Sequence, residues 1–169
     1  IIEATDARTT EITMLDQSDH QLAEAAKKPI LNNTKKILGD SHKLPFKNET
    51  FHVSTNSGSI EYWPRPGEVF KEIFRVLKPG GYSVTIGPAR PTHWLAKCLA
   101  DSWYLFPQKS EYILWMEAAG FDEIEVMEVD PEWYGPTDRQ YGLIMGYIVY
   151  AKKSETGKPR KYEYTYKEK

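Results

Sequence analysis

Hydrophobic and polar positions along the chain change period several times, and each change marks an element. A β-prone run, Glu11–Leu15, stops at Asp16. Ser18 and Gln21 then spell a capping box that opens a helix over Asp19–Lys27, which Pro29 ends. A second short strand is predicted at Lys35–Leu38, broken by Gly39 and Asp40, and a third at Phe51–Thr55, followed by a polar loop over Asn56–Ser59. From Pro66 onward, Val69, Phe70, Ile73, Phe74 and Leu77 recur at helical spacing, with Pro79-Gly80-Gly81 as the stop. Tyr82–Gly87 reads as a compact strand, and Thr92–Trp103 and Ser110–Ala119 as two more helices, the second closed by Gly120. Phe121–Val129 and Leu143–Ala151 are the last strands. The loop between them, Asp130–Gly142, is rich in proline, glycine and aromatics and could serve as a parallel crossover only if it held a helix, so the two strands are expected to pair antiparallel.

Strands alternating with helices predict a doubly wound α/β fold whose sheet is mostly parallel and ends in an antiparallel pair. The chain of 169 residues suits one domain, expected over residues 1–153, with a lysine-rich, aperiodic tail over 154–169 that reads as solvated or disordered. The first residues, Ile1–Ala4, resemble a helix already under way without a capping residue, so the chain is expected to be a fragment.

Composition narrows the chemistry. With 40% hydrophobic and 13% aromatic residues the chain can fill a core, and a net charge of −2 offers no broad basic field for nucleic acid. Small molecules become the expected partners. One cysteine, Cys98, rules out an internal disulfide framework and a cysteine-based zinc cluster, and no metal site is expected. No apolar run reaches the ~20 residues that span a bilayer.

In an open α/β sheet, ligands bind beyond the carboxyl ends of the strands. Asp16 stands at such an end, and an acceptor-only carboxylate there can take both hydroxyls of a ribose. Asp40 ends the next strand and, with Ser41, could receive an adenine amine. Each aspartate alone has a plainer reading, as a helix-entry or turn residue. Together, on successive strands, they form a constellation for an adenosine.

Three segments also resemble successive motifs of the class I S-adenosylmethionine-dependent methyltransferases: Leu15-Asp16-Gln17-Ser18, Gly39-Asp40-Ser41-His42-Lys43-Leu44-Pro45-Phe46 and Arg75-Val76-Leu77-Lys78-Pro79-Gly80-Gly81. More narrowly, Ser57–Pro64, Ile86-Gly87-Pro88, Trp103–Pro107 and Gly142–Gly146 resemble the family that methylates 2-methyl-6-phytyl-1,4-hydroquinone in tocopherol and plastoquinone synthesis. The resemblance implies a Rossmann-like fold with S-adenosylmethionine as cofactor. It implies that Asp16 meets the ribose, Asp40 and Ser41 the adenine, and Asn56, Ser57 and Gly58 the methionine side, with Gln17 also among the cofactor-binding residues. The family's first strand and glycine-rich loop have no counterpart here, since no two glycines are separated by a single residue. The chain alone is therefore expected to bind the cofactor poorly and to be inactive.

Ring methylation needs a base to share the proton of the hydroxyl next to the reacting carbon. Glu61 is the first candidate and His93 the second, with His42 also available. Tyr62, Trp63, Trp94, Trp103 and Tyr134 are candidates to wall a lipophilic pocket, although core packing is the default for any one aromatic. A prenylated acceptor would bring the protein to a membrane surface without spanning it, with Lys152, Lys153, Lys158, Arg160 and Lys161 as nearby cations. The expected location is cytoplasmic or membrane-peripheral, or plastid for a photosynthetic source. Competing readings are an acceptor that is another quinol, a sterol or a small phenol or amine, and, in a different class, a non-catalytic module that binds a ligand or partner.

Overall fold

The structure, a computed structural model, describes residues 11–91, 97–98, 106–129 and 146–158. It divides into two compact units, Ile1–Pro45 and Phe46–Lys169.

In the first unit, β1 (Thr13–Asp16) and β2 (Lys35–Leu38) pair in parallel, with Thr13 opposite Lys35 and Asp16 opposite Leu38. Between them runs α1 (Asp19–Ala26), whose N-cap Ser18 accepts a hydrogen bond from the Gln21 amide at 3.3 Å. The second strand has the bounds its pattern predicts.

In the second unit, β3 (Phe51–Ser57), β4 (Leu77–Pro88), β5 (Asp122–Val129) and β6 (Gly146–Lys152) form one sheet in the order β3-β4-β6-β5. The pair β3–β4 is parallel, and β6 runs antiparallel to both β4 and β5. The fold is thus α/β, with the expected antiparallel pair at its C-terminal end. Among the described residues, α2 (Pro66–Val76) and α3 (Lys109–Ala119) pack on this sheet. The stripe Val69, Phe70, Ile73 and Phe74 of α2 is buried, as are Tyr112 and Met116 of α3, and Phe74 meets Phe121 edge-on at 5.2 Å. Gly120 closes α3 with a left-handed φ of 103°.

The first strand begins two residues later than expected and includes Asp16, and two further boundaries differ more. The third strand continues through Asn56 and Ser57, which pair with Thr85 and Ile86 of β4, so these residues belong to the sheet and not to a loop. The fourth strand begins at Leu77, directly after α2, and Pro79-Gly80-Gly81 lies inside it. The register jumps there from Phe51 opposite Leu77 to Val53 opposite Tyr82, so the proline and glycines form a bulge that the ladder accommodates.

Lys153, counted above among the cations available to a membrane, is only 3% exposed. Its ammonium donates to the carbonyls of Phe74 at 2.9 Å and Leu77 at 2.8 Å, closing the C-terminal end of α2, and it lies 4.6 Å from the centre of the Phe74 ring. Burial lowers its pKa. Lys152 is tied to Glu155 at 3.0 Å. A turn through Ser154–Gly157, with the Gly157 amide donating to the Ser154 carbonyl at 2.9 Å, carries the chain to Lys158. Arg160 and Lys161 lie outside the described residues.

Candidate functional site

In the first unit the parallel register aligns the carboxyl ends of β1 and β2. The Gly39 amide donates to the Asp16 carbonyl at 3.0 Å, so Asp16 and Asp40 emerge at the same end of the pair. Asp16 is half-buried. Its Oδ1 accepts the Ser18 amide at 2.9 Å, and among the described residues nothing donates to Oδ2. Asp40 turns its Oδ1 to His42, accepting the backbone amide at 2.9 Å and facing the ring Nδ1 at 2.8 Å. His42 is thereby oriented, and its Nε2 is buried without a partner. Gln17 is exposed, and Ser41 opens the single 3₁₀ turn Ser41–Lys43 that Asp40 caps. The two aspartates therefore share an edge, each held by local backbone amides.

In the second unit the carboxyl end of β3 carries the other group of candidates. Asn56 donates from Nδ2 to the Thr85 hydroxyl at 3.0 Å, and its Oδ1 is buried with no donor. At Gly58 the chain turns with φ of +61°, a conformation that favours glycine, while its amide still donates to Ile86 O at 3.2 Å. The turn brings the 3₁₀ segment Ile60–Tyr62 back over the strand end. A Cβ built on Gly58 would sit 3.7 Å from Glu61 Oε1. Glu61 Oε2 is buried and, like Asn56 Oδ1, has no hydrogen-bond partner. A buried acceptor without a donor costs roughly 1–3 kcal/mol, so two of them at one strand end mark a place suited to a ligand that donates hydrogen bonds.

Behind Glu61 lies a residue that the sequence reading did not single out. Tyr112, in α3, is fully buried, and its hydroxyl donates to the Pro88 carbonyl at 3.1 Å. It reaches that carbonyl by crossing Gly87, whose missing side chain leaves room for the phenol and for Ile60. The buried face of β4 is built of small residues, Gly81, Ser83, Thr85 and Gly87, which permits this close approach. Burial raises the Tyr112 pKa, and the charges of Glu61, Tyr147 and Glu111 raise it further, so the phenol stays a neutral donor beside Glu61. A glycine within the strand was the available signal, since it marks where another group crosses the backbone.

The aromatic candidates separate. Trp63 is buried and packs edge-on against Phe70 at 5.7 Å, which makes it a core residue, whereas Tyr62 is 57% exposed beside Glu61. His93, Trp94, Trp103 and Tyr134 lie outside the described residues. Among the described residues no group of histidine, cysteine, aspartate and glutamate could hold a metal ion, and no helix is long and apolar enough to cross a membrane.

Comparison with known proteins gives three related findings. A family model described as a methyltransferase domain matches residues 1–85. The chain is 45% identical over 146 residues to 2-methyl-6-phytyl-1,4-hydroquinone methyltransferase 1, chloroplastic, of Oryza sativa subsp. japonica, covering 86% of this chain and 44% of that protein. The corresponding Arabidopsis thaliana protein is 43% identical over 150 residues, covering 89% of this chain and 44% of its own length. The chain thus spans less than half the length of these curated relatives. Among solved structures, phosphoethanolamine N-methyltransferase 2 of Haemonchus contortus, in complex with phosphomonomethylethanolamine and S-adenosylhomocysteine, superposes with a TM-score of 0.71 at 15% identity. It covers 85% of this chain and 43% of that one, and it shares the fold.

Proposed function

The chain belongs to the methyltransferase-domain family, and from that premise we propose that the protein transfers a methyl group from S-adenosylmethionine to a ring carbon of a prenylated hydroquinone. The observation that carries this reading is the buried, unpartnered carboxylate oxygen of Glu61 at the carboxyl end of β3. It lies in the segment Ser57–Pro64, the stretch that the resemblance to the hydroquinone methyltransferases singles out.

The residues present suit the methyl donor. Within the first unit, Asp16 Oδ2 is an open acceptor suited to a ribose hydroxyl and Asp40 with Ser41 suits an adenine; within the second, taken by itself, Asn56 Oδ1 is an orphaned acceptor suited to an ammonium, with Gly58 permitting close backbone approach. When bound, the donor supplies an electrophilic sulfonium methyl. Everything else falls to the protein: aligning the ring carbon with that methyl and excluding water, effects worth up to ~7–11 kcal/mol in favourable cases.

Glu61 acts as the base. It accepts the proton of the hydroxyl adjacent to the reacting carbon, which makes that carbon nucleophilic. After methylation the ring hydrogen at that carbon leaves as a proton and the hydroxyl is restored, so one proton is released per turnover. Tyr112 is a positioning residue. Its phenol is held to Pro88 and does not compete for the proton, because burial and the Glu61 charge raise its pKa. His93 remains a second candidate for the base. The relatives' chloroplastic names support a plastid location, and a lipophilic acceptor supports contact with a membrane surface.

The test is a radiolabelled methyl-transfer assay on the full-length protein against a panel of prenylated quinols, with sterols and simple phenols included. Methylation of a 2-methyl-6-prenyl hydroquinone is expected, and Glu61→Gln should lower kcat by ~10²–10⁴-fold while leaving donor affinity near wild type. Transfer only to a sterol or phenol would overturn the acceptor. A Glu61→Gln enzyme at full rate would overturn the base.

A further inference from the structure

Away from the β3 end, the second unit holds a cavity of about 570 Å³ between the chain leaving β4, the start of α3 and the start of β6. Arg90, Lys97 and Lys109 bring three cationic side chains to its wall, Gln108 and Ser110 add hydrogen-bonding groups, and Ile113 adds an apolar surface. Among the described residues no carboxylate lines it. This bias runs against the chain as a whole, whose net charge is −2. The carboxylate nearest in sequence, Glu111, is turned back to the Gln108 amide at 2.7 Å as the second half of a capping box. Lys97 and Lys109 bring like charges to one opening, and an anion seated there offsets them.

We propose that this cavity binds the phosphate of an anionic lipid headgroup, with Arg90, Lys97 and Lys109 as its cationic contacts. The volume falls within the ~300–1,000 Å³ of small-molecule sites, well above what a bare inorganic ion needs. Lys97, Gln108, Lys109 and Ser110 are exposed, so the rim can be reached by a surface, whereas sites for free phosphate are typically concave nests of backbone amides. Apolar groups stand beside the cations in the wall, Ile113 of α3 and Pro91. Cations mixed with apolar side chains are the pattern of an interfacial contact. The site also replaces Lys153, whose burial removes it from that role. The inference rests on the cavity and not on the acceptor assigned above.

The experiment is flotation of full-length protein with vesicles of phosphatidylcholine alone and of phosphatidylcholine mixed with phosphatidylglycerol. Binding to the mixed vesicles alone is expected, weakened about 5-fold by Lys97→Ala or Lys109→Ala singly and ~25-fold by both together. Replacing Lys71 and Lys78, lysines of the same unit outside the cavity wall, should leave binding unchanged. Both cavity variants should methylate a detergent-solubilised quinol at the wild-type rate, which separates failure of this inference from failure of the methyltransferase reading. Equal binding to the two vesicle types, or a double variant that floats like wild type, would overturn the proposal. Displacement by inorganic phosphate at matched phosphorus concentration would overturn the lipid source and leave a small-anion site.

Discussion

A single methyl group added at Gly87 tests the close approach on which the Glu61 end of the sheet depends. Built on the backbone, the Cβ of Gly87→Ala overlaps the Tyr112 hydroxyl oxygen and lies 2.7 Å from Ile60 Cγ2 and 3.3 Å from Tyr112 Cζ. Tyr112 and Ile60 are both fully buried, so neither can swing into solvent. The phenol must withdraw and give up its bond to the Pro88 carbonyl. Overpacking of this kind costs about 1–3 kcal/mol and the lost hydrogen bond about 1 more, so Gly87→Ala should destabilise by ~3 kcal/mol. Tyr112→Phe alone should cost about 1 kcal/mol, since it leaves the Pro88 carbonyl without its donor. The double variant removes the overlapping oxygen and retains only the contact with Ile60. Urea unfolding of the four full-length proteins should therefore give a coupling of ~1–2 kcal/mol, with the double variant more stable than the sum of the singles predicts. Additive costs, or a Gly87→Ala protein within ~0.5 kcal/mol of wild type, would refute the close approach.

Other perturbations follow from single contacts. Asp16→Asn keeps an acceptor for the Ser18 amide and removes the charge offered to a ribose; calorimetric titration of the full-length protein with S-adenosylhomocysteine should show affinity falling ~10–100-fold, with little change in unfolding. Lys153→Met strips the donors from the Phe74 and Leu77 carbonyls and should destabilise by about 1–3 kcal/mol near neutral pH. The folded pKa of Lys153 lies below its ordinary 10.5, so between the two values the unfolded chain holds more protons; wild-type stability should rise relative to Lys153→Met as pH climbs through that window. A flat difference would contradict the burial. The Tyr112 pKa is shifted the other way. In a near-ultraviolet titration its phenol should remain protonated well above the ordinary tyrosine value of 10.0, and Tyr112→Phe should shrink the latest part of the curve.

Local signals reached the elements whose partners are local. The second strand at Lys35–Leu38 and the stripe from Val69 to Phe74 were legible because a turn residue or a helical period reports on its own neighbourhood. The Pro79-Gly80-Gly81 signal was genuine but ambiguous. It marks a break in regular pairing, and only the β3 partner decides whether the break lies between elements or forms a bulge within one. Asp16 and Asp40 were legible by position, each ending a strand. The helical pattern over Ser110–Ala119 placed Tyr112 in a helix, but nothing along the chain shows that its hydroxyl crosses Gly87 to reach Pro88, a contact set by packing between distant segments. The reverse error befell Lys153, a lysine in a charged stretch that the fold draws inward to close a helix end.

The strand order β3-β4-β6-β5 also governs how the molecule comes to exist. The strand last in sequence, β6, lies between β4 and β5, so while the chain is being synthesised those two strands wait with unpaired edges until residues 146–152 have been made. Exposed edges are templates for mispairing, and pairings that join distant parts of a chain form slowly. A nascent chain halted after β5 would retain α2 and α3 yet present two adhesive strands, so chain completion, more than the stability of the finished sheet, sets its exposure to aggregation and chaperone capture.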